Sequence, residues 1–344
     1  MRVQSYEHNL PGRERAIHFT SLLYHPGEGM LYLGLTDMDN DLLYKFDPAD
    51  SSFTTCDFKR IADEFDVKIH RSLILDEDGS IIGATAGLHG IPDRHRAMGG
   101  KVFRYRPDDN SLELIARPVG EEYIQSILHD ADRQKVYGFT YPVGRFFVLD
   151  LETKKSRSQF IDSYPHLSAM DDNGCVWATW SQNNQLFKYD PEREEIDWHR
   201  TGLPRLAVSH LTSSPSDPGQ VDCMINGGDG MIYIGSVSGG LFRLDPASAD
   251  VHYLGKPLTG LRMAAMTLGP DGMIYAIGGM EGGTNLICYD REANHFDVLG
   301  PIRDGDGMCP YITHHVVMTD STTFYSGETD SPGRSGLLWK TILD

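Results

Sequence analysis

The sequence predicts an all-β chain folded as a seven-bladed β-propeller of four-stranded antiparallel blades, and three observations carry that prediction. First, one phrase recurs: an aromatic or aliphatic pair, an Asp, then Pro or another turn former. It reads Lys45-Phe46-Asp47-Pro48, Arg104-Tyr105-Arg106-Pro107, Val148-Leu149-Asp150-Leu151, Lys188-Tyr189-Asp190-Pro191, Arg243-Leu244-Asp245-Pro246 and Cys288-Tyr289-Asp290-Arg291. Successive copies start 40 to 59 residues apart, a spacing typical of radial β repeats. Second, a tight-turn pair precedes a strand-like run in the same units: Asp78-Gly79 before Ser80-Ile81-Ile82, Asn173-Gly174 before Cys175-Val176-Trp177, Asp229-Gly230 before Met231-Ile232-Tyr233, and Asp271-Gly272 before Met273-Ile274-Tyr275. Gly and Asn tolerate the positive φ that tight hairpins require. Third, no Pro/Gly/Ser linker divides the 344 residues, so residues 1–344 read as one propeller domain.

The elements follow in order. In each unit the apolar run before the acidic turn is the inner strand, A, and the run after it is B. The recurring phrase ends strand C and turns into D. Six blades fall between about residues 18 and 301, and a seventh shows runs at 311–318, 323–327 and 337–343. That last blade lacks a fourth strand, which the N-terminal Arg2-Val3-Gln4-Ser5-Tyr6 is expected to supply, closing the ring and removing an open sheet edge. The largest insertions are residues 87–100 in the second blade and 201–219 before the fifth. Up-and-down strands place the A–B and C–D turns on one face. The starts of the A strands and the B–C loops share the other, irregular face, where a rigid scaffold usually carries its chemistry.

Composition narrows the partners. With 31 Lys and Arg against 49 Asp and Glu, the net charge is −18, which argues against a nucleic-acid backbone or an anionic membrane surface. The five cysteines are scattered and show neither CxxC spacing nor a disulfide framework. Residues 1–10 lack an apolar signal core and no run reaches membrane-spanning length, so a cytoplasmic location is expected. The chain has no Gly-rich phosphate loop, no GxSxG elbow and no HExxH pair.

The irregular face collects the chemistry-bearing residues. The A-strand starts bring His18, His70 with Arg71, Tyr123 with Gln125, Tyr164 with His166, Gln220 with Asp222, Arg262, and His314 with His315. The B–C loops add Asp37, His89, Asp93, Arg94, His95, Arg96, Tyr141, Gln182, Asn183, Glu281, Glu328 and Arg334. Histidine changes charge near neutral pH, transfers protons and binds metals. Plainer readings exist. A histidine at a strand end is commonly a hydrogen-bonded structural residue, Arg94 and Arg96 around His95 read equally as a solvated loop, and Tyr141 could pack on Phe146 or Phe147. Strand alternation also sends His314 and His315 to opposite sides. The one-sided gathering of so many titratable rings favours a shared funnel.

Over the whole chain, the Tyr-Asp-Pro and Asp-Gly phrases resemble bacterial propellers of the virginiamycin-lyase and sugar-lyase type. The gluconolactonase/regucalcin family looks similar in blade grammar, but its opening Glu-Gly-Pro metal phrase is replaced here by Ile17-His18-Phe19-Thr20. Ser209-His210 with Ser214-Pro215-Ser216-Asp217-Pro218, and the His314-His315 pair, resemble oligogalacturonate lyases, propellers with a His-rich manganese site. The resemblance implies a lyase that cleaves a small uronate-containing carbohydrate by β-elimination. It also implies a divalent metal (Mn, Ca or Zn) held by His210, His314 and His315.

β-Elimination needs a base for the proton α to the carboxylate, a cation for the enolate and an acid for the leaving oxygen. His70 is the expected base, and Tyr141 the acid with His166 as its alternative. Arg71 or Arg262 would fork the carboxylate, and His18, Gln125, His89 and His95 would contact the sugar. Two other readings stay open. A non-catalytic glycan- or protein-binding propeller would offer an aromatic platform, with Trp177 and Trp180 as candidates. A glycoside hydrolase would pair two carboxylates from Asp37, Asp222, Glu281 and Glu328.

Overall fold

Acidic turns set the architecture. In the computed structural model, Asp47 Oδ1 accepts the Ala49 N–H at 2.8 Å, Asp190 Oδ1 that of Glu192 at 2.9 Å, Asp245 Oδ1 that of Ala247 at 2.8 Å and Asp290 Oδ1 that of Glu292 at 2.9 Å. The repeated Asp is therefore an Asx turn that ends strand C and starts strand D. The A–B hairpins use the same device: Asp78, Asp229 and Asp271 accept the amides of Ser80, Met231 and Met273. Gly79, Gly230 and Gly272 take φ of 81, 82 and 80° in these turns. The structure describes all residues but 9, 11–16, 40, 88–90, 206–218 and 281, and excludes the side chains of 91, 92 and 94.

The described strands form seven four-stranded antiparallel sheets. Their inner strands are His18–His25, Leu73–Leu75, Tyr123–Asp130, Ala169–Met170, Val221–Asn226, Met263–Leu268 and Ile312–Met318. The expected ring closure is present. Arg2–Tyr6 pairs antiparallel with Leu338–Ile342, in register from Arg2 opposite Ile342 to Tyr6 opposite Leu338. The Met1 ammonium and Arg2 Nε each reach the Asp344 carboxylate at 2.9 Å.

The core is built between blades. Phe19, Leu33 and Phe46 of the first blade pack with Tyr325 and Leu338 of the seventh, while Tyr32 and Leu43 pack with Ile69, Phe103 and Tyr105 of the second. Close packing demands glycine in the second strands. A Cβ on Gly138 would stand 2.2 Å from the Phe147 ring.

One register position matters most. Strand B of each blade begins its core with Leu31, Ile81, Val136, Val176, Ile232, Ile274 or Phe324, paired to Tyr24, Leu75, His129, Met170, Asn226, Leu268 and Met318. Four residues before each partner stand Thr20, Arg71, Gln125, His166, Asp222, Ala264 and His314. In five blades the pairing slips at this residue, a β-bulge that re-aims its side chain. The same position of seven blades thus forms one ring around the axis.

Candidate functional site

Four members of that ring, Arg71, His166, Asp222 and His314, meet together with His70 and Arg262. Asp222 is the hub. Its carboxylate accepts Arg262 Nε at 2.7 Å, Arg262 Nη2 at 2.8 Å, His166 Nδ1 at 3.1 Å and Arg71 Nη2 at 3.3 Å, and its backbone carbonyl accepts Arg71 Nη1 at 2.6 Å. The Asp222 side chain is fully buried. The His166 hydrogen bond and the two guanidinium groups outweigh burial and hold the carboxyl far below its usual range.

His70 and Arg71 both reach the funnel. Adjacent residues of a strand would point apart, but this inner strand begins only at Leu73, and Arg71 turns through φ 47°. His70 Nδ1 donates to the Gln125 carbonyl at 2.7 Å, so Nε2 carries the free lone pair of a neutral imidazole. Burial pushes the pKa of His70 well down, aided by Lys68, Arg71 and His166. Its ring lies 5.8 Å from that of His166 and 5.5 Å from that of His314, edge-on to both. His166 is also held below its ordinary value by burial, and its Nδ1 is fixed on Asp222. His314 Nε2 lies 3.5 Å from Arg262 Nη1 and 3.6 Å from Asp330 Oδ2.

Several expectations change on contact with the geometry. Arg71 is not placed to fork a substrate, because its guanidinium is buried against Asp222. Gln125 acts on His70 through its backbone carbonyl. His315 faces between blades, where Nδ1 accepts the Leu22 N–H at 2.8 Å, and burial lowers its pKa to about 4. His95 stands exposed beside Arg96, which pairs with Glu64 at 2.8 Å and Asp93 at 3.3 Å. The solvated-loop reading fits these residues. His89, His210 and Glu281 lie outside the described residues.

Tyr141 packs neither on Phe146 nor on Phe147. Its ring lies 4.9 Å from that of Tyr123 and 5.1 Å from that of Tyr164, and it is 38% exposed. These three tyrosines form an aromatic shelf at the mouth. Trp177 is wholly buried and is core. Arg262 keeps one nitrogen on His314 while two serve Asp222. His18 is half-buried, its Nδ1 without a partner among the described residues, with burial lowering its pKa and Asp330 opposing that shift.

Two of the four hydrolase candidates, Asp222 and Glu328, are already engaged by arginines, while Asp37 is a buried carboxyl whose pKa burial raises. Asp222 is consumed by two arginines, and Glu328 accepts Arg334 at 2.6 and 2.9 Å, the Leu337 N–H at 3.0 Å and the Tyr311 N–H at 2.9 Å. Among the described residues no group of three His, Cys, Asp or Glu side chains is placed to hold a metal. The donors among the described residues do not fit a divalent cation either. His315 is turned away, and His70, His166 and His314 sit among the charges of Lys68, Arg71 and Arg262.

Sequence reasoning missed two residues. Lys68, two positions before His70, is half-buried in an isolated bridge between Thr36 and Ala86 and lies electrostatically against His70, His314, His18 and Asp330. Asp330, just beyond the Thr323–Thr329 strand, reaches back to the cluster with a left-handed φ of 54°. The even step from Lys68 to His70 in an extended segment was the one signal available.

No family model matches the chain, and no curated protein matches it. Solved structures do match, in fold. Virginiamycin B lyase from Staphylococcus aureus superposes with a TM-score of 0.69 at 12% identity, covering 99% of both chains. A catalytically inactive variant of that enzyme, solved with quinupristin, gives 0.68 at 13% identity over 99% of both chains. The extracellular domain of a one component system of B. thetaiotaomicron gives 0.63 at 13% identity, covering 97% of this chain and 40% of that one. The chain is a seven-bladed propeller of the virginiamycin B lyase-like architecture, and the likeness is one of fold. Among the described residues no helix is long and apolar enough to cross a membrane.

Proposed function

We propose that the protein is a propeller lyase that breaks a C–O bond by β-elimination beside the carboxylate of a small uronate-containing carbohydrate. The observation that carries this reading is the state of His70. Its Nδ1–H is spent on the Gln125 carbonyl at 2.7 Å, and its Nε2 lone pair belongs to an imidazole kept neutral by burial among cations. A neutral, oriented imidazole is what a general base requires at neutral pH.

In this scheme His70 Nε2 takes the proton α to the carboxylate. The electron pair left on carbon forms the new carbon–carbon double bond as the β C–O bond breaks, and the leaving oxygen takes a proton from water at the mouth. Negative charge builds on the substrate carboxylate during proton removal, and Lys68 and Arg262 are the cations near enough to His70 and His314 to stabilise it. Asp222 fixes His166 and Arg262. The tyrosine shelf would stack a sugar ring.

The test is to incubate the protein with a panel of uronic-acid oligosaccharides and follow the ultraviolet absorbance of the unsaturated product. No absorbance change across the panel, with and without divalent metal, would sink the lyase reading.

A second reading has its own support. The part-exposed shelf of Tyr123, Tyr141 and Tyr164 suits a carbohydrate-binding propeller without turnover, and one structural neighbour is an extracellular domain of a one component system. Calorimetric binding of an oligosaccharide that is recovered intact would favour it.

A further inference from the structure

A negative charge overhangs the cationic side of the funnel. Asp330 lies on the short connection after the Thr323–Thr329 strand, and its side chain is 54% exposed, whereas that of His314 beneath it is 9% exposed. The connection is pinned at its base, where Arg334 forks the buried Glu328 at 2.6 and 2.9 Å. Positive φ at Asp330 (54°) and Gly333 (78°) turns the segment back toward the axis. Asp330 Oδ2 comes to 3.6 Å from His314 Nε2, the atom that Arg262 Nη1 approaches at 3.5 Å. Carboxylate and guanidinium thus converge on one ring nitrogen.

The charges around that point are unequal. Lys68, Arg71 and Arg262 face Asp222 and Asp330, with the histidines neutral. Asp222 is saturated by the two arginines, His166 and its own burial. Lys68 has no direct ion pair among the described residues, and Asp330 is the one carboxylate that supports its charge against burial and Arg71. Asp330 is likewise the first charge to oppose burial at His18. Four groups from four different blades, His18, Lys68, Arg262 and His314, therefore all feel the solvent-facing Asp330 carboxylate.

We propose that Asp330 is a built-in competitor for a carboxylate-binding subsite: its carboxylate holds the place that a ligand carboxylate takes between Lys68, Arg262 and His314. The subsite suits a monoanionic carboxylate on a small polar body. A ligand that enters displaces Asp330 toward solvent, to which its side chain is already half open. An anion arriving beside Asp330 meets one repelling charge, and removing that charge raises affinity. The proposal rests on the anionic-ligand part of the function above but not on turnover.

The experiment measures calorimetric affinity for D-galacturonate and D-glucuronate, with D-galactose as the neutral control, in the unaltered protein and in Asp330→Asn and Lys68→Met. Asp330 is exposed, so Asp330→Asn leaves the fold intact. It is expected to tighten uronate binding by about threefold or more, the size of one partly screened charge contact, and to leave galactose unchanged. Lys68→Met is expected to weaken uronate binding by about tenfold, as for a lost charge-assisted contact. Uronate affinity unchanged or weakened in Asp330→Asn would overturn the proposal, as would no uronate binding by either form.

Failure here is separable from failure of the lyase reading. Tighter uronate binding by Asp330→Asn with no unsaturated product keeps the subsite and removes the lyase. Turnover of uronates with kcat/KM unmoved by Asp330→Asn keeps the lyase and removes the subsite.

Discussion

Arg71 and Asp222, 151 residues apart, close the funnel floor between the second and fifth blades: Arg71 donates to the Asp222 carbonyl at 2.6 Å and to its carboxylate at 3.3 Å. Both side chains are fully buried, and both occupy the same register position of their blades. The pair joins non-adjacent blades through their inner strands. A second guanidinium, Arg262, turns it into a triad with one carboxylate for two cations.

Asp222→Ala is therefore expected to cost far more than the loss of the four hydrogen bonds its carboxylate accepts. It strands the buried guanidinium of Arg71 and most of that of Arg262. Removing one partner of a buried ion pair typically costs about 3–5 kcal/mol. Urea unfolding should show this as a large fall in midpoint with an unchanged slope. Lys68→Met, which breaks no direct ion pair among the described residues, should move the midpoint much less. Equal effects of the two would mean that Asp222 is not the hub.

His70→Gln tests the base. Glutamine can keep a hydrogen bond to the Gln125 carbonyl through its amide N–H yet has no basic nitrogen. Turnover of a uronate substrate is expected to fall by about 10²–10⁴-fold, the usual contribution of a positioned base, with the unfolding midpoint little changed. If full activity survived, His166, whose Nδ1 is fixed by Asp222, would take over as the candidate base.

The fold was legible because its punctuation is chemical. Asx turns and Asp-Gly hairpins need particular side chains, so each blade left the same letters in the sequence. The site was half legible. His70, His166, Arg262 and His314 are polar residues at the starts of apolar inner strands, which marks them. What each contacts depends on backbone details that periodicity does not encode. Arg71 reaches the axis only through its positive φ, and His315 is lost to the blade interface through an amide 293 residues away. Lys68 and Asp330 lie outside the named strands, on segments with no pattern to place them.

The buried histidines make stability fall on mild acidification. Burial holds His8 and His315 at about 4, and pushes His70 and His314 well down. In the unfolded chain each returns to about 6.5. Between pH 6.5 and 4 the unfolded state then binds more protons than the native state, so stability is greatest above pH 6.5 and is lost as pH drops. Each such histidine contributes a slope of up to about 1.4 kcal/mol per pH unit in that window. Urea midpoints at pH 7, 6 and 5 should decline steadily. A flat profile would mean that these rings protonate in the fold.

Tyr141 decides between acid and shelf. As a general acid it would lose its function when the hydroxyl is removed, so Tyr141→Phe would lower kcat sharply. As a stacking surface beside Tyr123 and Tyr164, at 4.9 and 5.1 Å between ring centroids, it needs only its ring. No contact joins Tyr141 to His70, His166 or His314 among the described residues, which favours the shelf. Tyr141→Phe is then expected to retain kcat and KM. Tyr141→Ala should raise KM by roughly two- to tenfold with kcat nearly unchanged, matching the ~0.5–1.5 kcal/mol of an aromatic contact. A collapse of kcat in Tyr141→Phe, with binding intact, would return the tyrosine to the chemistry and take it off the shelf.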